Sequence, residues 1–347
     1  MIANNVTATV STRGRTHSAL PLMLVSLASQ IVKPSRLIIY DDNDVLEDLR
    51  NDETYKNIFG LFYKVGIKWE VTTGCRKGQI HNHQRALQDA KTDWIWRLDD
   101  DNIMDSNVLA GLLEVAESNI NIGAVGPLIL DPKKEVNFTL ASNKIEDVFL
   151  GANIQWNYKH KQKLVSVDHL QGSTFLFRRE AAKHGYELSL SRVGHREETI
   201  FTYEIKRAGW DLIVATNLKT WHMRYGGGGI RDQNKIELFD SDERIFHRKM
   251  KEWGVKERSI KIVPLDAGIG DHYALKSAFK DVFNTDTRVI IGACYPEVFA
   301  DIPNVEVISL EECKSLVNIE DYAIYKWMDQ HNWKLSLLQA YKKMYNV

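Results

Sequence analysis

Short blocks of hydrophobic and polar residues follow one another along the first hundred positions and predict alternating strands and helices. The run at 6–11 is β-branched and the run at 37–40 is apolar, whereas apolar residues between 20 and 31 recur at helical spacing. The remaining blocks predict a strand at 68–71, a helix at 79–91 and a strand at 94–98. Polar clusters follow the strand ends. This pattern predicts an open α/β sheet, which binds ligands beyond the carboxyl ends of its strands.

The pattern becomes less regular after residue 130 and then predicts a second, smaller α/β unit. The elements predicted before that unit are a strand at 174–178, a helix at 197–209 and a strand at 212–215. The elements predicted within it are strands at 260–263, 288–291 and 305–308, with a helix that follows a glycine turn at 268–271 and runs to about Phe283. We therefore predict three parts: a main domain at 1–243, a basic helix and linker at 244–261, and a small α/β accessory domain at 262–347.

Composition narrows the class of protein. The chain has 347 residues, of which 45 are Lys or Arg and 46 are Asp or Glu, so a strongly basic, non-specific nucleic-acid binder is not supported. No apolar run has the length of about 20 residues that a membrane-spanning helix needs, and no signal peptide is recognisable. Three widely spaced cysteines fit free thiols in a reducing compartment, so we expect a cytoplasmic protein.

The strongest chemical signal is the carboxylate triplet Asp99, Asp100 and Asp101 at the end of an apolar strand. Consecutive carboxylates repel one another, and a bound Mg²⁺ or Mn²⁺ would neutralise them, because both ions prefer oxygen ligands. The alternative is a solvated acidic turn. His222 follows a predicted strand and is a candidate metal ligand, although a single histidine is more often an ordinary surface or core residue.

Three further segments carry candidate chemistry. Glu197 and Glu198 are adjacent carboxylates, one of which can act as a general base; the alternative is a charged helix start that favours the dipole. The segment 11–15 places two arginines and a glycine before a helix, which suits a nucleotide diphosphate. Asp41 and Asp42 at the second strand end can accept hydrogen bonds from a ribose or base, and a polar turn is the alternative.

Taken in order, these segments resemble the family 2 glycosyltransferases of the GT-A fold. The resemblance runs from residue 6 to about 225 and rests on TRGR, YDDND, LDDDN, GHREETIFTYEIKRAGW and WH. Individually these motifs are modest, but five in this order are specific. The resemblance implies an open mixed sheet flanked by helices. The segment after 260 faintly resembles half of a GT-B, heptosyltransferase-like domain, for which we expect an accessory or oligomerisation role.

The resemblance also assigns roles to residues. The donor nucleotide-sugar is expected to contact Ser11, Thr12, Arg13, Arg15, Asp41, Asp42, His81, Asn82, His83, Asp99 and Asp100. The metal is expected at Asp99 and Asp101 with His222, the acceptor beside Gln171, Gly172 and Ser173, and the catalytic base at Glu198 next to Glu197. Two departures stand out: the base is Glu where Asp is common, and the helix at 81–86 departs from the family's Ala-Arg-Asn-x-Gly pattern.

The implied activity is metal-dependent, inverting transfer of a sugar from a nucleotide-diphospho-sugar, with a UDP-type donor favoured, to a hydroxyl of a glycan precursor. One alternative is the same chemistry on a hydroxymethylated pyrimidine of phage-type DNA. The basic stretches at 159–163 and 244–261 favour this alternative. Another is a non-catalytic sugar-nucleotide-binding module, against which the intact carboxylates argue. The glycine-rich segment 223–232 is expected to close over the donor. The sequence leaves open whether the protein forms a homo-oligomer.

Overall fold

The computed structural model describes nine stretches of the chain. They are residues 1–132, 144–146, 162–170, 172–226, 236–256, 260–284, 287–302, 305–314 and 316–347. These residues fall into two compact units, the first of which includes most of the chain up to Val255, while the second contains the residues from Lys256 onward. Within the described stretches, no helix has both the length and the apolar character needed to cross a membrane.

Nine strands of the first unit form one mixed sheet. They are β1 (Ile2–Thr12), β2 (Lys33–Asp41), β3 (Lys68–Thr73), β4 (Trp94–Asp99), β5 (Asn102–Met104), β6 (Ile122–Leu130), β7 (Leu164–Val167), β8 (Thr174–Arg178) and β9 (Asp211–His222). Their order is β3-β2-β1-β4-β8-β6-β9-β5, and β7 also pairs with β9. The first four strands run parallel, whereas β8 is antiparallel to both of its neighbours. The predicted α/β sheet is confirmed.

Six helices belong to the first unit as described. They are α1 (Ala19–Ala28), α2 (Glu53–Val65), α3 (Gln79–Asp89), α4 (Val108–Ser118), α5 (Glu197–Arg207) and α6 (Ile236–Glu252). Their apolar faces complete the core; in α1, for example, Leu20, Leu24 and Leu27 are fully buried at helical spacing. The helix α2 starts where the Asp52 side chain accepts hydrogen bonds from two backbone amides, and it ends at Gly66 with φ +85°.

The strand register gathers the predicted motifs at one edge of the sheet. In the parallel pairs, Thr12 lies opposite Asp41 and Ser11 lies opposite Asp99, so the carboxyl ends of β1, β2 and β4 coincide. Directly after β4 the chain turns into β5, which is antiparallel to β9 and places Asn102 opposite His222. A candidate ligand residue more than a hundred positions away in sequence therefore reaches the aspartate triplet.

The second unit is a small α/β fold of its own. Three parallel strands, β10 (Ile260–Leu265), β11 (Arg288–Ala293) and β12 (Val305–Ile308), form its sheet in that order. Its helices are α7 (Ile269–Ala278), α8 (Leu310–Lys314), α9 (Ile324–Gln330) and α10 (Leu337–Tyr345). The three predicted strands and the first helix are present. That helix ends at Ala278 rather than at Phe283, and a separate short 3₁₀ turn follows at Val282–Asn284.

Other differences from the sequence prediction lie in length and number. The strand predicted at 212–215 continues as β9 to His222, because β6 pairs along it as far as Trp221 and β5 pairs with its last three residues. The strands β5, β6 and β7 were not predicted, nor were the helices α2, α4, α8, α9 and α10. Residues 244–252, predicted as part of a basic helix and linker, are the second half of α6, which buries Phe246 and Met250.

Two glycines offer a test of how the loop before α3 is held. Gly78 has φ +106°, and a Cβ there would lie 2.5 Å from the carbonyl oxygen of Arg192. Gly78→Ala should therefore lower the free energy of unfolding by about 1–3 kcal/mol, since neither backbone can yield cheaply. Gly60→Ala is the control, because nothing lies within 4 Å of its added methyl group. In helix α2 that change should stabilise by about 0.5–1 kcal/mol. Urea unfolding measures both, and equal effects of the two changes would contradict the close approach at Gly78.

Candidate active site

The three consecutive aspartates at the end of β4 have different surroundings. The carboxylate of Asp100 accepts hydrogen bonds from Thr12 Oγ1 at 2.7 Å and from Arg15 Nη1 at 2.9 Å. Burial raises the pKa of Asp100, and the neighbouring Arg15 only partly offsets this. Asp100 and Thr12, both predicted to contact the donor, are buried and bonded to each other. They tie the end of β4 to the end of β1.

Asp99, Asp101 and His222 form a group that can hold a metal ion. Each offers one ligand atom, and these atoms lie within 4.8 Å of one another in the described part of the chain. Nε2 of His222 lies 3.2 Å from Oδ1 of Asp101. Two carboxylate oxygens and one imidazole nitrogen are a donor set that accommodates Mn²⁺ or Mg²⁺. The residues predicted as metal ligands are therefore brought together by the fold.

The electrostatics of this group favour a cation. Burial raises the pKa of Asp99 to about 6, against the opposing effect of nearby cationic groups. Burial acts on Asp101 in the same direction, but His222 and Arg15 outweigh it and hold the pKa below its ordinary value. Arg15 Nη1 lies 3.2 Å from Asp101 Oδ2 and compensates part of the negative charge. The guanidinium groups of Arg15 and Arg97 lie within 4 Å of the three carboxylates and leave a net negative charge, which a divalent cation would offset.

The residues predicted to bind the nucleotide line the ends of β1 and β2. Arg13 donates to the carbonyl oxygen of Asp42 at 2.8 Å and to the carboxylate of Asp44 at 2.6 Å. Asp42 Oδ1 accepts from the backbone amide of Arg76, and Asp41 Oδ1 accepts from the backbone amide two residues further on. Both aspartates are buried. These bonds fix the loops after β1, β2 and β3 relative to one another.

The three residues of α3 that were predicted to contact the donor nucleotide-sugar differ in burial and in their partners. Asn82 is fully buried, donates to Ser11 Oγ at 2.8 Å and accepts from the backbone amide of Cys75 at 2.6 Å. It therefore joins the ends of β1 and β3. His81 is half-buried. His83 is also buried and lies 4.0 Å from Glu197, and burial lowers the pKa of its imidazole.

The two glutamates at the start of α5 differ in exposure. Glu197 is 1% exposed, and its Oε1 accepts from Arg97 Nη2 at 2.5 Å and from Gln79 Nε2 at 2.8 Å. Burial raises the pKa of Glu197 to about 7, although the Arg97 guanidinium acts in the opposite direction. Glu198 is only half-buried. Of this pair, Glu198 is thus the carboxylate that a substrate can approach.

The loop that leads into α5 is held by two carboxylates of α6. Asp242 accepts from the backbone amides of Ser191 at 2.6 Å and His195 at 2.9 Å. Glu243 holds Arg196 through two hydrogen bonds of 3.0 and 3.1 Å. Burial opposes ionisation of Glu243, but His195 and Arg196 lower its pKa to about 2. These contacts fix Arg196 with φ +68° and so set the direction in which α5 begins.

Two of the three predicted acceptor-side residues, Gly172 and Ser173, lie in the part of the chain that the structure describes. Ser173 is buried, and its carbonyl oxygen accepts from the backbone amide of Asp99 at 2.8 Å and from the side chain of Asn102. Gly172 is half-buried with φ +51°. Gln171 lies outside the described residues, as do residues 227–232 of the predicted closing segment and residues 159–161 and 257–259 of the basic stretches.

Arg97, Gln79, Asp242 and Glu243 were missed by the sequence analysis. The signal for Arg97 was present, because a cation inside the apolar run WIWRLD has to be paired once the strand is buried. Nothing in the sequence indicates that the partner of Arg97 is Glu197, which lies a hundred residues away. Asp242 and Glu243 look in sequence like ordinary polar residues of an amphipathic helix.

Comparison with known proteins bears on this arrangement. The family model described as "Glycosyltransferase like family 2" matches residues 64–234. The crystal structure of GalNAc-T7 with UDP, GalNAc and Mn²⁺ is similar in fold, with a TM-score of 0.52 and 15% identity over 94% of this chain and 57% of that one. The crystal structure of S. aureus TarS gives a TM-score of 0.48 and 13% identity over 73% of this chain and 40% of that one. Comparison with curated proteins finds no match.

The chain thus spans little more than half the length of GalNAc-T7 and less than half that of TarS. At such identity the likeness to GalNAc-T7 concerns the fold alone. The family match covers the strands and helices that carry the aspartate triplet, the two glutamates and His222. Together with the mixed sheet, this match shows that the chain carries a family 2 glycosyltransferase domain built on the GT-A fold.

Proposed function

We propose that the protein is a metal-dependent, inverting glycosyltransferase that moves a sugar from a nucleotide-diphospho-sugar to a hydroxyl of a glycan acceptor. The observation that carries the proposal is the convergence of Asp99, Asp101 and His222 at the strand edge where β1 and β2 end. A divalent cation there would offset the charge of a diphosphate leaving group. We assign this chemistry to the first unit and an accessory role to the second.

The donor side of the site is built for a charged nucleotide. The guanidinium of Arg13 is partly exposed beside the ends of β1 and β2, and the half-buried Arg15 lies next to the cation-binding group. Guanidinium groups bind phosphate oxygens with good geometry. A UDP-type donor with Mn²⁺ is favoured, since GalNAc-T7, similar in fold, was crystallised with UDP and Mn²⁺.

On the acceptor side, Glu198 is the proposed general base. Its neighbour Glu197 is engaged by Arg97 and Gln79 and is shielded from solvent, whereas Glu198 is half-exposed. Glu198 takes the proton of the acceptor hydroxyl as that oxygen bonds to the anomeric carbon. In the same step the bond from that carbon to the diphosphate oxygen breaks. A direct displacement of this kind inverts the anomeric configuration.

The test of the proposal is a panel of nucleotide-sugars offered with Mn²⁺. We expect one donor to raise the thermal unfolding midpoint, since a ligand that binds only the folded state stabilises it. The same donor should release its nucleotide, faster in the presence of an acceptor glycan. Absence of both effects for every donor would contradict the proposed function.

Asp101→Asn should abolish Mn²⁺ binding and nucleotide release while the fold is retained. The amide keeps the shape of the buried side chain but removes the charge that faces His222 and Arg15. Electron paramagnetic resonance of free Mn²⁺ and a nucleotide-release assay measure the two losses. The control is Asp105→Asn, since Asp105 is exposed after β5. Full wild-type activity in the presence of EDTA would show that metal is not required.

Glu198→Gln should lower kcat by about 10²–10⁴, because an amide cannot accept the acceptor proton. Donor and Mn²⁺ affinities should change little. Glu197→Gln should cost far less in kcat at saturating metal, since Glu197 does not reach the substrate. The control on the same helix is Glu204→Gln. A larger loss for Glu197→Gln than for Glu198→Gln, measured with saturating acceptor, would move the base to Glu197.

A further inference from the structure

Arg97 lies between the proposed cation site and the start of α5. Its Nη2 is 2.5 Å from Glu197 Oε1 and 3.6 Å from Asp99 Oδ1. Residues 97 and 99 share a face of β4, because side chains alternate along a strand. A single guanidinium nitrogen therefore contacts a carboxylate from each side of the site.

The charged group of Arg97 is shielded from solvent. The side chain is 2% exposed, and its guanidinium lies 5.3 Å from the centre of the Phe175 ring. Within the described part of the chain, its Nε and Nη1 have no hydrogen-bond partner. A buried cation must be balanced by nearby anions. Glu197 and Asp99 are the two that the structure places against it.

We propose that Arg97 is a positioning residue whose single charge is shared between Glu197 and Asp99, and that it thereby couples the cation site to the helix start that carries Glu198. The catalytic consequence rests on the proposed function. The coupling itself is a property of cation binding and does not depend on turnover.

The direction of the coupling follows from the two distances. In the structure the guanidinium is closer to Glu197 and leaves Asp99 largely available to a cation. Removal of the Glu197 charge would let Arg97 pair with Asp99 and compete with the cation. Conversely, a cation bound at Asp99 would repel Arg97 towards Glu197 and hold the start of α5 in place. Such coupling between two sites is reciprocal.

The test is a cycle of four proteins, read out as the Mn²⁺ dissociation constant from electron paramagnetic resonance. The proteins are the wild type, Glu197→Gln, Arg97→Met and the double variant. Glu197→Gln should weaken Mn²⁺ binding by roughly fivefold or more, the lower end of the range for coupled sites. In the Arg97→Met background the same change should alter binding by less than about twofold, because the shared cation is gone.

The matched control is Gln79→Leu. Gln79 supplies the other hydrogen bond to Glu197 Oε1, at 2.8 Å, but carries no charge. Its loss should leave Mn²⁺ affinity within about twofold of the wild type, since it frees no cation to compete at Asp99. Circular dichroism and thermal unfolding establish that each variant is folded.

Two results would overturn the proposal. One is an unchanged Mn²⁺ affinity in Glu197→Gln, a comparison that needs only the wild type and this isosteric variant. The other is equal weakening with and without Arg97, which would mean that Glu197 acts on the cation directly. If Arg97→Met does not fold, Arg97→Lys replaces it, and the shorter reach of lysine to both carboxylates should reduce the coupling. Should the wild type fail to bind Mn²⁺, the coupling would be wrong.

Failure of the proposed function gives a different result from failure of the coupling. A wild type that binds Mn²⁺ but releases no nucleotide from any donor would contradict the glycosyltransferase activity alone. In that case the four Mn²⁺ dissociation constants would still decide whether Arg97 couples the two carboxylates.

Discussion

Repulsion among carboxylates gathered at one sheet edge is the constraint on which the rest of the site depends. Three consecutive aspartates end β4, and the fold brings Glu197 to the other side of Arg97. Two buried or half-buried arginines compensate part of this charge, Arg15 beside the triplet and Arg97 beneath it. Breaking a buried ion pair by removal of one partner costs about 3–5 kcal/mol, so neither arginine is replaceable without consequence. The remaining negative charge is what makes this edge suited to the proposed divalent cation.

This compensation also separates the roles of neighbouring residues. Asp100 is buried and bonded to Thr12 and Arg15, whereas Asp99 and Asp101 stand with His222. Glu197 is held by the buried guanidinium of Arg97, whereas Glu198, the next residue, is half-exposed. The surroundings of each carboxylate in the triplet or the pair therefore depend on which neighbouring group neutralises its charge. Carboxylates that are neighbours in sequence therefore differ: Asp100 and Glu197 have structural contacts, whereas Asp99 and Asp101 are the proposed metal ligands and Glu198 is the proposed base.

Rigid supports surround these groups and fix their geometry. Backbone bonds from Asp99 to Ser173 and from Met223 to Asp101 hold the triplet from two strands. On the opposite side, Asp242 and Glu243 of α6 hold the loop before α5. A transfer reaction requires the base and the leaving group to be held at a set separation. For the proposed reaction, the contacts from β8, β9 and α6, elements far apart in the chain, would supply this rigidity.

The sequence by itself determined the elements and the candidate chemistry, because periodicity and strand-end polar clusters are local. It predicted β1, β2, β4, β8 and α5 close to their observed positions, the family, and the aspartates and glutamates of the site. Only the tertiary structure decided which of these residues meet. His222 reaches Asp101 through the β5–β9 register, and Arg97 reaches Glu197 across a hundred residues, because non-local pairing follows from the packing of the whole sheet.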